Sequence, residues 1–436
     1  MTAVPPQDKK KGEQDMSHRV GRRRFIAAAG AGTMTASLRR ARAAAPVEIH
    51  YWQYYFGERV KAMDTLIAEF HKANPAIRVI QTTFPYAQYR TKIAAAVPAG
   101  QGPDVFQVYY GWLRDYRRAK LIQPLPTAEF PPAMIDREFF PIVSMMKHDG
   151  AYWGIPTAVR TMGLFYNKAL LPPPPAPPAT LAGFVADARK IVRRDAHGDL
   201  LIEGCTIGLP SQDYHWWREV LVRQFGGKPY SDNYRKVTYG DQAGADALRW
   251  YTDLQKKFGV AQAGFLTAPA GAFRAGKVGL HVNASFLIGM MKATKGLDWG
   301  VAALPERNGI AANYSSYWAN VMAAGLSPAK RDAVAKFLAF VTTEPAMSIW
   351  LADTGELPAR RKAGMAPAVL DDPTYGGFAR GLPTAVATDF VNEDTQRAVF
   401  IAMLNRVLLN NQDPLAAVRQ AAEEEQKIID AFYRKR

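Results

Sequence analysis

Val47, Ile49 and Tyr51 are apolar while Glu48 and His50 are polar, the period of two expected of a half-buried strand. The run Trp52-Gln53-Tyr54-Tyr55-Phe56-Gly57 breaks that alternation and predicts a loop. Val60, Met63, Leu66, Ile67 and Phe70 then recur at helical spacing, and Asn74-Pro75 ends the helix. Ile77 and Val79 open a second strand that runs to Phe84, and Tyr89, Ile93 and Val97 mark a second helix. Gly102-Pro103-Asp104 turns into a third strand at 105–108. A β-α-β-α-β order at this spacing implies a parallel sheet with crossover helices, whose ligands gather beyond the carboxyl ends of the strands. Trp52-Gln53 and Tyr109-Tyr110 fall at such ends, so these aromatics are expected in a cleft. Trp112 and Tyr116 are expected inside, under the helix that follows.

Farther along, the prolines of 172–178 exclude helix and sheet and form a stiff surface connection. Thr180 is placed to cap a helix running to Arg194. Later helices are predicted at 242–258, 329–342 and 414–433, and no internal repeat is visible.

Charge and the N-terminus change this picture. The 436 residues carry a formal +16, but 1–43 hold ten Lys/Arg against three acids, leaving +9 from 45 basic and 36 acidic residues. The later basic residues are scattered, so no nucleic-acid surface is indicated. Arg22-Arg23-Arg24-Phe25-Ile26 fits a twin-arginine export pattern, followed by an Ala/Gly-rich apolar stretch and an Ala41-Arg42-Ala43 cleavage site. The mature chain is expected to begin near Ala44, in the periplasm. A single cysteine, Cys205, excludes an internal disulfide and a Cys-clustered zinc site.

Several chemical signals fall away on inspection. Gly271 to Lys277 has phosphate-loop spacing, but Val278 stands where a magnesium-holding Ser or Thr is needed, and the strand follows the glycines. Asp195-Ala196-His197-Gly198-Asp199 fits no calcium loop or zinc pair, and neither HExxH nor GxSxG occurs. No cofactor and no metal is expected. The paired tyrosines Tyr54-Tyr55 and Tyr109-Tyr110 keep a ferric-iron carrier open as an alternative, and a secreted polysaccharide hydrolase is another, although no catalytic carboxylate pair can be placed.

Six motifs in order give the chain a resemblance. They are Gly102-Pro103-Asp104-Val105; Asp149-Gly150 through Tyr152-Trp153-Gly154-Ile155-Pro156; Leu164-Phe165-Tyr166-Asn167-Lys168; Phe273 to Lys277; Val282-Asn283-Ala284-Ser285-Phe286; and Gly355 through Leu357-Pro358-Ala359-Arg360. Together they resemble the family 1 extracellular solute-binding proteins of ABC importers, the maltose-binding protein group. The resemblance implies an α/β, two-lobe periplasmic binding protein fold of type II. Each lobe would be a mixed, mostly parallel sheet flanked by helices, with the ligand cleft between lobes. Behind the export signal at 1–43, it divides the chain into a first lobe from 44–158 and 319–350 and a second lobe from 159–318 and 351–436.

The same resemblance implies a non-enzymatic, monomeric carrier that passes a carbohydrate or glycoside to membrane permease subunits. It implies solute contacts from Trp52, Gln53, Tyr109, Tyr110, His215, Trp216, Asn283, Phe286, Tyr317 and Trp318, with Arg360 near the hinge. Trp217 sits beside this set. Arg160 stands where relatives that bind neutral sugars carry an acid. It either meets an anionic sugar or pairs with a protein carboxylate such as Asp213.

Overall fold

The computed structural model describes residues 45–208, 213–266 and 268–434. The export signal and cleavage site predicted for 1–43 lie outside these residues. The first regular elements follow the hydrophobic pattern: β1 (Val47–Tyr54), α1 (Gly57–Ala73), β2 (Ile77–Phe84), α2 (Tyr86–Ala96) and β3 (Val105–Tyr109). Met63, Leu66, Ile67 and Phe70 of α1 are buried, and the Asn74 N–H closes that helix on the Phe70 carbonyl at 2.9 Å. One boundary differs from expectation. β1 does not stop at Tyr51, because its parallel pairing with β2 continues to Tyr54 opposite Phe84. The backbone ladder outlasts the side-chain alternation, and the predicted loop at 52–54 is strand.

The chain forms two α/β lobes, each around its own sheet. The first sheet has the order β2-β1-β3, then Trp318–Ala323, then Ile122–Gln123. The second is built on the long strand Ala158–Asn167, which pairs antiparallel with Val278–Ala284, Trp299–Ala302, Asn313–Ser316 and Leu357–Pro358. Leu200–Cys205 lies parallel to Val278–Ala284. Both sheets are therefore mixed, and the second is mainly antiparallel. Helical crossovers generate the parallel pairs, whereas segments returning from the other lobe are free to pair antiparallel.

Three short passages join the lobes. Ile155 still bridges to Asn320 of the first sheet, and by Ala158 the chain is in the second. Tyr317 alone separates Ser316 of the second sheet from Trp318 of the first. Trp318, expected at the end of the second lobe, instead opens a strand paired with Tyr109. The third passage follows the helix Glu344–Thr354, which ends at Gly355 with φ 76°. A Cβ there would stand 2.4 Å from Ile288 Cβ, so this turn requires glycine.

Other helices keep close to expectation, at Gln242–Lys256, Pro328–Val341 and Pro414–Arg434. Thr180 caps its helix through Gly183 N–H at 3.1 Å. That helix ends at Ile191 and not at Arg194, because Arg193–Arg194 pairs with Leu200–Cys205. No helix of the described residues is long and apolar enough to cross a membrane.

Candidate functional site

Between the two sheets, at the carboxyl ends of β1 and β3, lies a cavity of about 290 Å³. Tyr54, Tyr55 and Phe56 line it from the end of β1, Tyr86 from α2, and Tyr109 and Trp318 from the paired strand ends. The second lobe contributes Arg160, His215, Phe286, Ser316, Glu393 and Arg397. Aromatic rings dominate the wall, and Tyr55 and Tyr86 are exposed at 62% and 56%, which puts them at its mouth.

Of the residues singled out from sequence, Tyr109, Arg160, His215, Phe286 and Trp318 meet in this cavity. Tyr110 lines a neighbouring cavity of about 200 Å³ with Arg114, Thr388 and Asp389. The two tyrosines share one partner, since both phenols lie 2.9 Å from the Tyr314 hydroxyl. Trp112 and Tyr116 are buried, as expected.

The remaining expectations are corrected. Trp52 sets its ring edge against Phe84, 4.7 Å between centroids, and Gln53 is fully buried against Gln81, because the longer β1 carries the cavity two residues onward. Trp216 and Trp217 are core: Trp216 packs on Phe184, Trp250 and Tyr251, and Trp217 on Tyr239 and Phe400. Asn283 is bonded to His281 at 3.1 Å and to the Ala284 N–H at 2.8 Å. Tyr317 stacks on Tyr110 and donates to the Ile142 carbonyl at 3.0 Å. Arg360 donates to the Thr342 carbonyl at 2.7 Å and pairs with Glu138, away from the cavity.

The charges have a definite arrangement. Arg160 meets Glu356, its Nε 2.5 Å from Oε1, and not Asp213, which accepts from the Gly208 N–H and the Tyr251 hydroxyl. Arg59 binds the same Glu356 oxygen, and Trp350 Nε1 donates to the other at 2.8 Å. Two guanidinium groups thus share one carboxylate, and a unit of positive charge is left over. Arg59 also donates to the Tyr54 phenol, as does Arg160 at 3.4 Å. The phenol's own proton is then free to point into the cavity. Arg160 lies over the Phe286 ring at 5.1 Å.

The cavity's other charged pair, Glu393 and Arg397, is balanced. Glu393 accepts from Arg397 at 2.5 Å and from the Tyr214 hydroxyl at 2.6 Å. His215 stacks on Tyr314 with centroids 3.7 Å apart. Burial, reinforced by Arg218 and Arg397, holds its pKa well below the usual imidazole value, so it is neutral at physiological pH. Its Nδ1 has no hydrogen-bond partner among the described residues.

As solute contacts, sequence reasoning missed Tyr54, Tyr55, Phe56, Tyr86, Ser316, Glu393 and Arg397, of which Tyr54 and Tyr55 were offered only to iron. Glu393 and Arg397 are one turn apart on the helix Glu393–Leu408, capped by Asn392 through Thr395 N–H at 3.0 Å. No helix is predicted here from sequence, and local spacing does not say where such a helix lands. For iron, the phenols of Tyr109 and Tyr110 are each bonded to the Tyr314 hydroxyl, and burial raises all three pKa values, which opposes the tyrosinate form. Among the described residues no group of three His, Cys, Asp or Glu side chains is arranged to hold a metal.

The fold around this site is shared with known proteins. The maltotriose-binding protein of Pyrococcus abyssi is 24% identical over 344 residues, 77% of this chain and 71% of that one. The GacH receptor of Streptomyces glaucescens, known unliganded and with acarbose, shares the fold with a TM-score of 0.75 at 21% identity, covering 88% of this chain and 99% of that one. UgpB of Mycobacterium tuberculosis in complex with glycerophosphocholine matches with a TM-score of 0.74 at 21% identity, covering 89% and 98%. Residues 65–377 match the family described as bacterial extracellular solute-binding protein. The chain belongs to that family, as a protein that holds a solute and does not transform it.

Proposed function

We propose that this protein is the solute-capturing component of an ABC importer, taking a carbohydrate or glycoside that bears an acidic group. In this reading it works as a monomer in the periplasm, reached by the twin-arginine route, and hands its solute to the membrane permease subunits. The observation that carries the reading is the aromatic cavity between the lobes with Arg160 in its wall. Sugar rings have C–H-rich faces that lie against aromatic planes, while their oxygens need fixed polar partners. A volume of about 290 Å³ stands at the low end for ligand sites and suits one or two sugar rings.

The relatives support a sugar: one is named for maltotriose and another is known with acarbose. The fold does not choose the ligand by itself, since UgpB is described with glycerophosphocholine. The choice then rests on the lining. Arg59 and Arg160 against the single Glu356 favour an anionic or acceptor-rich group beside Arg160 and Tyr54.

The test is calorimetric titration of wild type and Arg160→Gln with a uronic acid or sugar sulfonate and with its neutral analogue. Wild type should prefer the anion, and the variant should lose most of that preference while Glu356 keeps Arg59. Equal wild-type affinity for both would remove the acidic group from the reading. Failure of every sugar to bind would remove the carbohydrate.

A further inference from the structure

The two lobes touch through a set of arginines that lie outside the solute cavity. On the first lobe, α2 carries Arg90, and the helix α3 (Leu113–Arg118) carries Arg114 and Arg118. Arg114 grips Asp389 of the second lobe with a two-pronged fork, Nε to Oδ1 at 3.1 Å and Nη2 to Oδ2. Arg90 reaches Asp394 at 2.7 Å with one nitrogen and holds Asp115 of its own lobe at 2.6 Å with the other. Arg114 and Arg118 lie over the ring of Phe432, on the C-terminal helix, at 5.7 and 4.8 Å. Between them the Thr388 N–H donates to the Tyr110 phenol at 3.2 Å.

Residues 388–394 belong to the second lobe. They follow the short strand Ala385–Val386, which pairs with Asn313–Ser316 of the second sheet, and they lead into the helix Glu393–Leu408. None of the arginines or their partners lies in the three joining passages, and none lines the solute cavity.

We propose that these residues form a solute-independent latch, in which arginines of α2 and α3 clasp Asp389, Asp394 and Phe432 and so favour a closed state, with the two lobes in contact, over an open one in which they part. An ion pair between two bodies exists only while they are together. Its whole contribution therefore favours the closed state, which is the differential interaction that a population shift requires. The Arg114–Asp389 pair is the stronger candidate, because its side chains are 20% and 28% exposed against 34% and 65% for Arg90–Asp394. Each partly exposed pair shifts such an equilibrium by roughly fivefold at most, and the cation–ring contacts add to that. Solute affinity then depends partly on residues that never touch the solute.

The experiment needs no solute, so it stands apart from the identity of the ligand. Cys205 is buried, which leaves cysteines introduced at exposed Ala94 on α2 and Ala398 on the second lobe free for selective spin labelling. Pulsed electron resonance then reads the distance between the lobes. At about 0.1 M salt the short distance should dominate, and at about 1 M, where the Debye length falls to about 3 Å, the longer one should gain. Arg114→Gln and Asp389→Asn should each shift the populations toward the longer distance severalfold, and the double variant should add little to either. If wild type is open at low salt, or if the distribution ignores both salt and variants, the latch is wrong. The salt series on wild type decides the matter even should a variant fail to fold.

Discussion

Phe286 and Trp318 both line the cavity, but their surroundings separate them. Trp318 is 7% exposed and sits within 4.5 Å of the Tyr54 ring centroid and 5.1 Å of Trp112, so it is core and wall at once. Phe286 is only half-buried and touches Phe56 edge-on. Phe286→Ala should therefore weaken solute binding by about 1–3 kcal/mol, or about 5–150-fold, with thermal unfolding close to wild type. Trp318→Ala should lose binding and also about 3–5 kcal/mol of stability. Titration calorimetry and denaturant unfolding on both variants check this pair, and a Phe286→Ala that unfolds early yet binds normally would make that ring core. Single aromatics were legible as candidates because they followed strands. Trp216 was not separable from them by sequence, since an indole under a sugar and an indole under Trp250 look alike as letters.

Local periodicity located the opening β-α-β-α-β run and several later helices, but not all their ends, and it passed over the helices Glu344–Thr354 and Glu393–Leu408. β1 runs on to Tyr54 because β2 offers partners that far, and this places Tyr54, not Trp52, at the cavity. The strand Leu200–Cys205 has a different consequence. Glu203 is buried there and accepts the Gln262 N–H at 2.7 Å; desolvation pushes its pKa up to about 8. Desolvation likewise raises Asp213 to about 7. In the unfolded chain both carboxyls titrate near 4, so from about pH 4 to about pH 8 the unfolded state releases protons that the folded state still holds. Their contribution to stability is thus fully present at low pH and is lost as pH rises through 7 and 8. Asp136, exposed, and Glu138, partly exposed, are held low by hydrogen bonds from Lys147 and Arg137 and act below this window. The melting temperature should fall between pH 5 and pH 8.5, and Glu203→Gln should fall less. A variant as steep as wild type would locate the effect elsewhere.

At the scale of the molecule, two sheets joined by three passages place residues from distant parts of the chain around one cavity, with Arg59, Arg160 and Glu356 meeting beside it. Export by the proposed twin-arginine route should depend on Arg22 and Arg23. Replacing both with lysine should leave precursor in the cytoplasm, as read by fractionation and blotting, and normal periplasmic accumulation would refute the twin-arginine route. The sequence by itself determined what depends on near neighbours: the alternation of β1, the spacing of α1, the Thr180 cap, the glycine at 355, and the ordered motifs that mark the family. These follow from backbone geometry and from hydrophobic burial repeated over a few residues. Only the tertiary structure decided which aromatic ring is wall and which is core, that Arg160 pairs with Glu356 and not Asp213, and that Glu393 and Arg397 reach the cavity. Those outcomes depend on where separately formed elements come to rest, and Arg160 and Glu356 stand 196 residues apart in the chain.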